Sequence, residues 1–338
     1  MVPQQSKKRL VVCCDGTWND SVSTDNPLTN VSRLSRCVEE IAEDGILQVV
    51  YYHTGVGSGT SKLSNSVDGA TGRGLSANIR DAYSFICNNY NFKDGNDEIF
   101  LVGFSRGAFT VRCIASLIED IGLLTKRGLA NLHALYDSWN SKSKDAIQLE
   151  LETGQLERKG VLKRHIQIEA CAVWDTVSAL GVPIPFGLPQ PASKKLAFVD
   201  TKIPKVVRNA FHALALHERR KHFEPLLWDH PREQNVNFRQ CWFFGSHSDV
   251  GGGYEDAGLA NLTLIWMIAQ FQTFTTLCFS METLLHFLAP DQQIEQEKSW
   301  SFGSHTSYEW ERSYSTIRSK IDEGALHLSH GHAFLSSF

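Results

Sequence analysis

Five short apolar runs, each cut off by a small or polar residue, constrain this chain more than any other feature. They cover 9–14, 47–52, 98–103, 166–174 and 240–244. Their near-continuous hydrophobicity lacks the alternation of a half-exposed strand, which fits parallel strands buried on both faces. Between them the apolar period lengthens to that of a helix. Asn30 is the expected cap of a helix on which Val31, Leu34, Val38 and Ile41 recur, and Ile79, Ala82, Tyr83 and Ile86 mark a helix over 75–90. Further helices are expected over 108–119 and 206–217, and a more polar helical stretch over 126–164. Strand alternating with helix predicts an α/β fold, with a mostly parallel sheet and helices on both faces.

In such sheets, ligand chemistry gathers beyond the carboxyl ends of the strands. Four of the five runs end at Asp15-Gly16-Thr17, Ser105, Asp175 and His247. Ser105 lies in Gly103-Phe104-Ser105-Arg106-Gly107, between a buried strand and a helix. That context is the nucleophile elbow, a turn so tight that its flanking positions must be small. A serine hydroxyl needs a base to take its proton, and histidine has the right basicity. Of thirteen histidines, His247 has the best setting, directly after a strand and beside Gly251-Gly252-Gly253; His53 is next. Asp175 is the favoured acid for fixing the imidazole, with Asp249, two residues from His247, as the alternative. An oxyanion would be held by the backbone N–H of Arg106 and by one from Gly16 or Thr17. The Arg106 side chain either meets an anionic group or pairs with a nearby acid, and Asp15 braces its turn.

Composition narrows the partners. A formal charge of −4 and a pI near 6.4 offer no basic field for nucleic acid. Eight cysteines are scattered, several inside apolar runs, with no close pairing of the zinc type, so reduced thiols and a cytoplasmic location are expected. The amino terminus shows no apolar stretch of signal-peptide length. No charge falls between Asp256 and Glu282, long enough to cross a bilayer. Its amides and threonines instead favour two shorter helices, leaving at most contact with a membrane surface. Asp15-Gly16-Thr17 lacks the carboxylate that an aspartyl-phosphate mechanism places two residues earlier, where Cys13 stands. The run Gly55 to Lys62 has its lysine out of register for a phosphate loop.

Taken together, several motifs resemble a known family. They are Asp15-Gly16-Thr17-Trp18-Asn19, Thr54-Gly55-Val56-Gly57, Gly103-Phe104-Ser105-Arg106-Gly107-Ala108, Val173-Trp174-Asp175-Thr176-Val177 and the stretch 245–254. In that order, within 8–270, they resemble the uncharacterised α/β-hydrolase domain of many fungal proteins and of type VI secretion phospholipase effectors. The resemblance implies a Ser-Asp-His hydrolase of acyl esters, phospholipid among them, needing no metal or organic cofactor. The expected organisation is an α/β-hydrolase-like catalytic domain over 8–290, with 126–164 and 183–235 as inserted or cap segments. A polar extension follows over 291–338, where His327, His330 and His332 offer other bases. Two rival readings stay open: an inactive hydrolase scaffold that binds a lipid or protein partner, and metal-dependent hydrolysis through Asp15, Asp175, His247 and Asp249.

Overall fold

The computed structural model describes residues 7–16, 27–55, 72–93, 96–141, 146–178, 199, 201–231 and 236–288. Six strands form one sheet: β1 (Lys8–Cys14), β2 (Leu47–His53), β3 (Glu98–Phe104), β6 (Ile168–Trp174), β7 (Val207–Ala215) and β8 (Asn237–Phe243). Their order is β2-β1-β3-β6-β7-β8, and every pairing is parallel. A separate antiparallel pair joins β4 (Leu123–Leu124) to β5 (Leu162–Lys163).

Helices cover both faces, which is why the strands read as unbroken apolar runs. On one face Leu10, Val12, Ile99 and Leu101 pack against α2 (Gly72–Asn89) and α3 (Arg106–Ile121), through Ile79, Tyr83, Ile86, Val111 and Ile114. On the other, Val11, Cys13, Phe100, Val102 and Phe211 meet α1 (Asn30–Cys37), α7 (Gly258–Phe274) and α8 (Met281–Leu288). Successive strand residues thus feed opposite cores. Six cysteines, Cys13, Cys14, Cys37, Cys87, Cys113 and Cys171, lie buried in these layers, while Cys241 and Cys278 are partly exposed.

The polar stretch after α3 holds α4 (Leu132–Asn140) and α5 (Ala146–Arg158). This pair leans on the outer side of α2 and α3: Trp139 Nε1 donates to Asp120 at 2.7 Å, and Tyr136 OH to Ser76 at 3.2 Å. The uncharged stretch after Asp256 holds one helix, α7, and not the two shorter helices expected, since α8 begins only at Met281, where the stretch ends. No helix among the described residues is long and apolar enough to cross a membrane.

Other expectations are overturned as well. Thr29, not Asn30, caps α1, its side chain accepting from Ser32 N, and the helix ends at Cys37, short of Val38 and Ile41. The helix anticipated over 206–217 is strand β7, with neighbours β6 and β8 on either side. Its alanines and leucine are helix formers, and its polar residues break the apolar pattern, yet tertiary contacts override that preference. Asn209 Nδ2 donates to the Glu169 carbonyl at 2.7 Å and its Oδ1 accepts from Asn237 at 2.8 Å. His212, fully buried, contacts Gln240 Oε1 at 3.1 Å across to β8, and burial holds its imidazole well below the usual histidine range. Part of 183–235 is therefore sheet.

Candidate active site

β3 runs into Ser105 with no slack. Ser105 has φ 58° and ψ −123°, a left-handed conformation that costs a residue with a Cβ about 1–3 kcal/mol and persists only when its surroundings enforce it. They do so on both sides. Ser105 N donates to the Trp174 carbonyl at 3.1 Å, and its own carbonyl accepts from Phe109 N at 3.3 Å as α3 begins. The turn also needs Gly107, since a Cβ there would collide with the carbonyl of Cys14 at the end of β1. Gly107→Ala is expected to cost about 1–3 kcal/mol by overpacking backbone that cannot move aside. The check is a fall in the urea-unfolding midpoint.

Asp175 ends β6, buried at 0% exposure. Its amide donates to the Ala213 carbonyl at 2.7 Å, and Oδ1 accepts from Ala215 N at 2.9 Å. The adjacent strand β7 therefore clamps the carboxylate, leaving Oδ2 to face His247 Nδ1 at 2.6 Å. His247 opens the short helix α6 (His247–Gly251) after β8. Its Nε2 lies 2.8 Å from Ser105 Oγ. An ionised carboxylate only accepts, so Nδ1 donates to Asp175 and the Nε2 lone pair accepts the serine proton. Phe104 and Phe223 pack on the imidazole, with ring centroids 4.6 and 4.8 Å away. Gly251 lets α6 come that close, because a Cβ there would enter the Phe104 ring.

Three strand ends thus bring Ser105, His247 and Asp175 into one hydrogen-bonded line. The rival acid points elsewhere: Asp249 Oδ2 accepts from Ser246 N at 2.7 Å and Ser246 Oγ at 2.8 Å, capping α6. His53 ends β2, with β1 between it and β3, and its Nδ1 meets the Thr54 carbonyl at 2.6 Å. Asp15 Oδ2 accepts from Thr29 Oγ1 and Tyr52 OH, each at 2.6 Å. Gly16 N donates to Asp15 Oδ1 at 2.7 Å. Thr17, His327, His330 and His332 lie outside the described residues. Arg106 is the first residue of α3, whose first-turn amides find no carbonyl within the helix. Burial alone pushes its guanidinium down to about 10. Among the described residues, no three His, Cys, Asp or Glu side chains gather as a metal site.

With that geometry stands a family match. The model of the type VI secretion Tle1-like phospholipase effector catalytic domain matches residues 8–270. The chain belongs to that family. An uncharacterized protein of Saccharomyces cerevisiae is 28% identical over 242 residues, which is 66% of this chain and 33% of that protein. The chain therefore spans about a third of the length of this curated relative. Among solved structures, the Tle1 effector bound to the VgrG spike of a type 6 secretion system is 17% identical, with a TM-score of 0.36 over 73% of this chain and 51% of that one. An uncharacterized protein from Pseudomonas aeruginosa is 18% identical, with a TM-score of 0.46 over 92% of this chain and 51% of that one. The family's description is that of a phospholipase effector catalytic domain.

Sequence reasoning passed over four residues that border this line: Phe104, Phe223, Glu218 and Arg220. Phe104 stands within the elbow motif itself, next to Ser105 in the chain. The others sit in a charged loop after an element expected to be helical, so no strand ending marked them.

Proposed function

We propose that this chain is a serine carboxylic-ester hydrolase acting on acyl esters of the phospholipid kind. One observation carries the reading: Ser105 Oγ, His247 and Asp175 form a continuous hydrogen-bonded relay at the carboxyl edge of the sheet. Ser105 Oγ attacks the acyl carbonyl carbon while His247 Nε2 takes its proton. Asp175 stabilises the imidazolium across the bond to Nδ1. The carbonyl electrons move onto oxygen, which faces the Arg106 amide and the turn at Gly16. As a second donor, the Gly16 N–H divides itself between Asp15 and the developing charge. Collapse breaks the ester C–O bond, and His247 returns its proton to the departing alcohol. Water, deprotonated by the same imidazole, then releases the acid from Ser105.

The surroundings of the relay support a lipid ester over a polar one. Leu216 (50% exposed), Phe244 (69%) and Tyr254 (46%) follow β7, β8 and α6 on the same rim. Leu216 N donates to the Phe243 carbonyl at 2.9 Å, so the first two continue neighbouring strands. Exposed large apolar groups beside a catalytic mouth suit an aggregated, amphiphilic substrate. This rim, and not the uncharged stretch after Asp256, is the lipid-facing candidate, since most of α7 is buried against the sheet.

The test is a panel of soluble short-chain esters, long-chain esters and phospholipid vesicles, with a fluorophosphonate probe in parallel. Serine-dependent turnover in any arm supports the reading, and preference for long-chain or vesicle substrate supports the lipid assignment. Tight vesicle binding without serine-dependent turnover would return an inactive scaffold instead. Phe244→Ser with Leu216→Ser is expected to lower the ratio of vesicle to soluble-ester turnover about tenfold, from lost apolar area. An unchanged ratio would remove the rim from the argument.

A further inference from the structure

A loop after β7 reaches His247 from two sides. Glu218 Oε2 accepts the backbone N–H of His247 at 3.3 Å. That amide belongs to the first turn of α6, where no helical carbonyl can take it. The same carboxylate is gripped by Arg220. Glu218 Oε1 accepts from Arg220 N at 2.8 Å and from its Nε at 2.9 Å, and Oε2 accepts from a terminal guanidinium nitrogen at 2.8 Å. A fork-to-fork pair of this kind fixes orientation as well as distance. The guanidinium then lies 3.8 Å over the Phe223 ring, and Phe223 meets the His247 imidazole edge-on at 4.8 Å. One short segment therefore holds the histidine by its backbone and by its ring.

We propose that Glu218 and Arg220 are positioning residues that set where the His247 imidazole stands between Asp175 and Ser105. The proposal rests on His247 being the general base of the proposed hydrolase. Asp175 touches only Nδ1, so it fixes which nitrogen carries the proton, while Asn30 and Thr263 hold α6 farther along, at the Val250 carbonyl. The Glu218–Arg220–Phe223 bracket adds the hold at the His247 end of the helix. Its charges also reach the imidazole. Glu218, 3% exposed at its side chain, is held down to about 2, first by the Arg220 hydrogen bonds, so it is anionic throughout any working range. Arg220 interacts electrostatically with Asp175 and Tyr254 across the site. The other charged groups near the ring are Asp175 at Nδ1, Arg106 beside Ser105, and Asp249 within α6, already engaged by Ser246.

Glu218→Gln and Arg220→Ala delete opposite charges from one bracket, which separates positioning from general stability. The full chain is used in a Ser105→Ala background, following the His247 ring by NMR through a pH titration and assigning it with His247→Gln. Losing the carboxylate disfavours the imidazolium and moves the His247 midpoint down, while losing the guanidinium moves it up, each by about half a unit to one unit. With Ser105 present, both substitutions lower soluble-ester turnover, or fluorophosphonate labelling of Ser105, by about tenfold or more with KM unchanged. The double variant loses no more than the worse single one, because the pair acts as a unit. Arg220→Gln, which keeps bulk over Phe223, gives the upward shift again should Arg220→Ala fail to fold. Midpoints that stay fixed, or move the same way in both folded proteins, overturn the proposal even where turnover falls. If Ser105→Ala keeps full turnover, the hydrolase reading fails separately, and the titration still judges the bracket.

Discussion

Ser105→Ala is expected to cut ester turnover by about four to six orders of magnitude and to abolish fluorophosphonate labelling. The Ser105 hydroxyl is the group that His247 Nε2 faces at 2.8 Å, and it is delivered there by a backbone bend that no other described serine shares. The positive-φ residues other than glycine, among those described, are Ser105, His165 and Asp175. The bend is made by main-chain bonds to Trp174 and Phe109 and by Gly107 against β1. None of these needs the hydroxyl, so alanine leaves the fold intact. The variant should unfold at the same urea concentration as the natural chain, which ties the loss to the missing oxygen. Full labelling in the variant would place the nucleophile elsewhere.

Asp175→Asn is expected to lower kcat by about ten-thousandfold while leaving KM and stability close to those of the natural protein. The amide is isosteric, and its oxygen still accepts from Ala215 N where Oδ1 now does at 2.9 Å. Its nitrogen then turns to His247 Nδ1, where a carboxylate oxygen accepted before. Two donors cannot share that contact, so the ring carries its proton on Nε2 instead. A protonated Nε2 points a hydrogen at Ser105 Oγ and cannot take one from it. Asn is also among the residues most tolerant of the positive φ of 37° seen at this position. Asp249→Ala supplies the contrast. It removes a helix cap worth about 1 kcal/mol and should leave kcat within severalfold of normal. Reversed outcomes for the two carboxylates would exchange their roles.

The chain displays some of this openly and conceals the rest, for physical reasons. Ser105, Asp175 and His247 each interrupt an apolar run, and in a parallel sheet such interruptions all face one edge. Their convergence is therefore legible without coordinates. The choice between Asp175 and Asp249 was not, because spacing says nothing about where a carboxylate turns. In the folded chain Asp175 faces His247 Nδ1, while Asp249 is turned to Ser246. β7 escaped notice because Asn209 and His212 make a buried strand look polar, and their partners, Glu169, Asn237 and Gln240, come from other strands. With β7 unseen, the loop that follows it had no address, and nothing in the spacing marks Glu218 and Arg220. Gly107 was anticipated as a small residue in a tight turn. The Cys14 carbonyl that makes anything larger a collision belongs to a strand more than ninety residues away.

The sealed thiols give the molecule a built-in gauge of its own integrity. Cys13, Cys14 and Cys171 sit in the central strands with burial pushing their ionisation upward, to about 12 for the latter two. A sulfur that is both shielded and protonated does not alkylate. Only Cys241 and Cys278 are partly open to a reagent among the described residues. Maleimide uptake should therefore stay low in any variant whose sheet is closed and climb steeply once it opens. Inert chemistry can then be told from collapsed architecture in one tube, before any substrate is known.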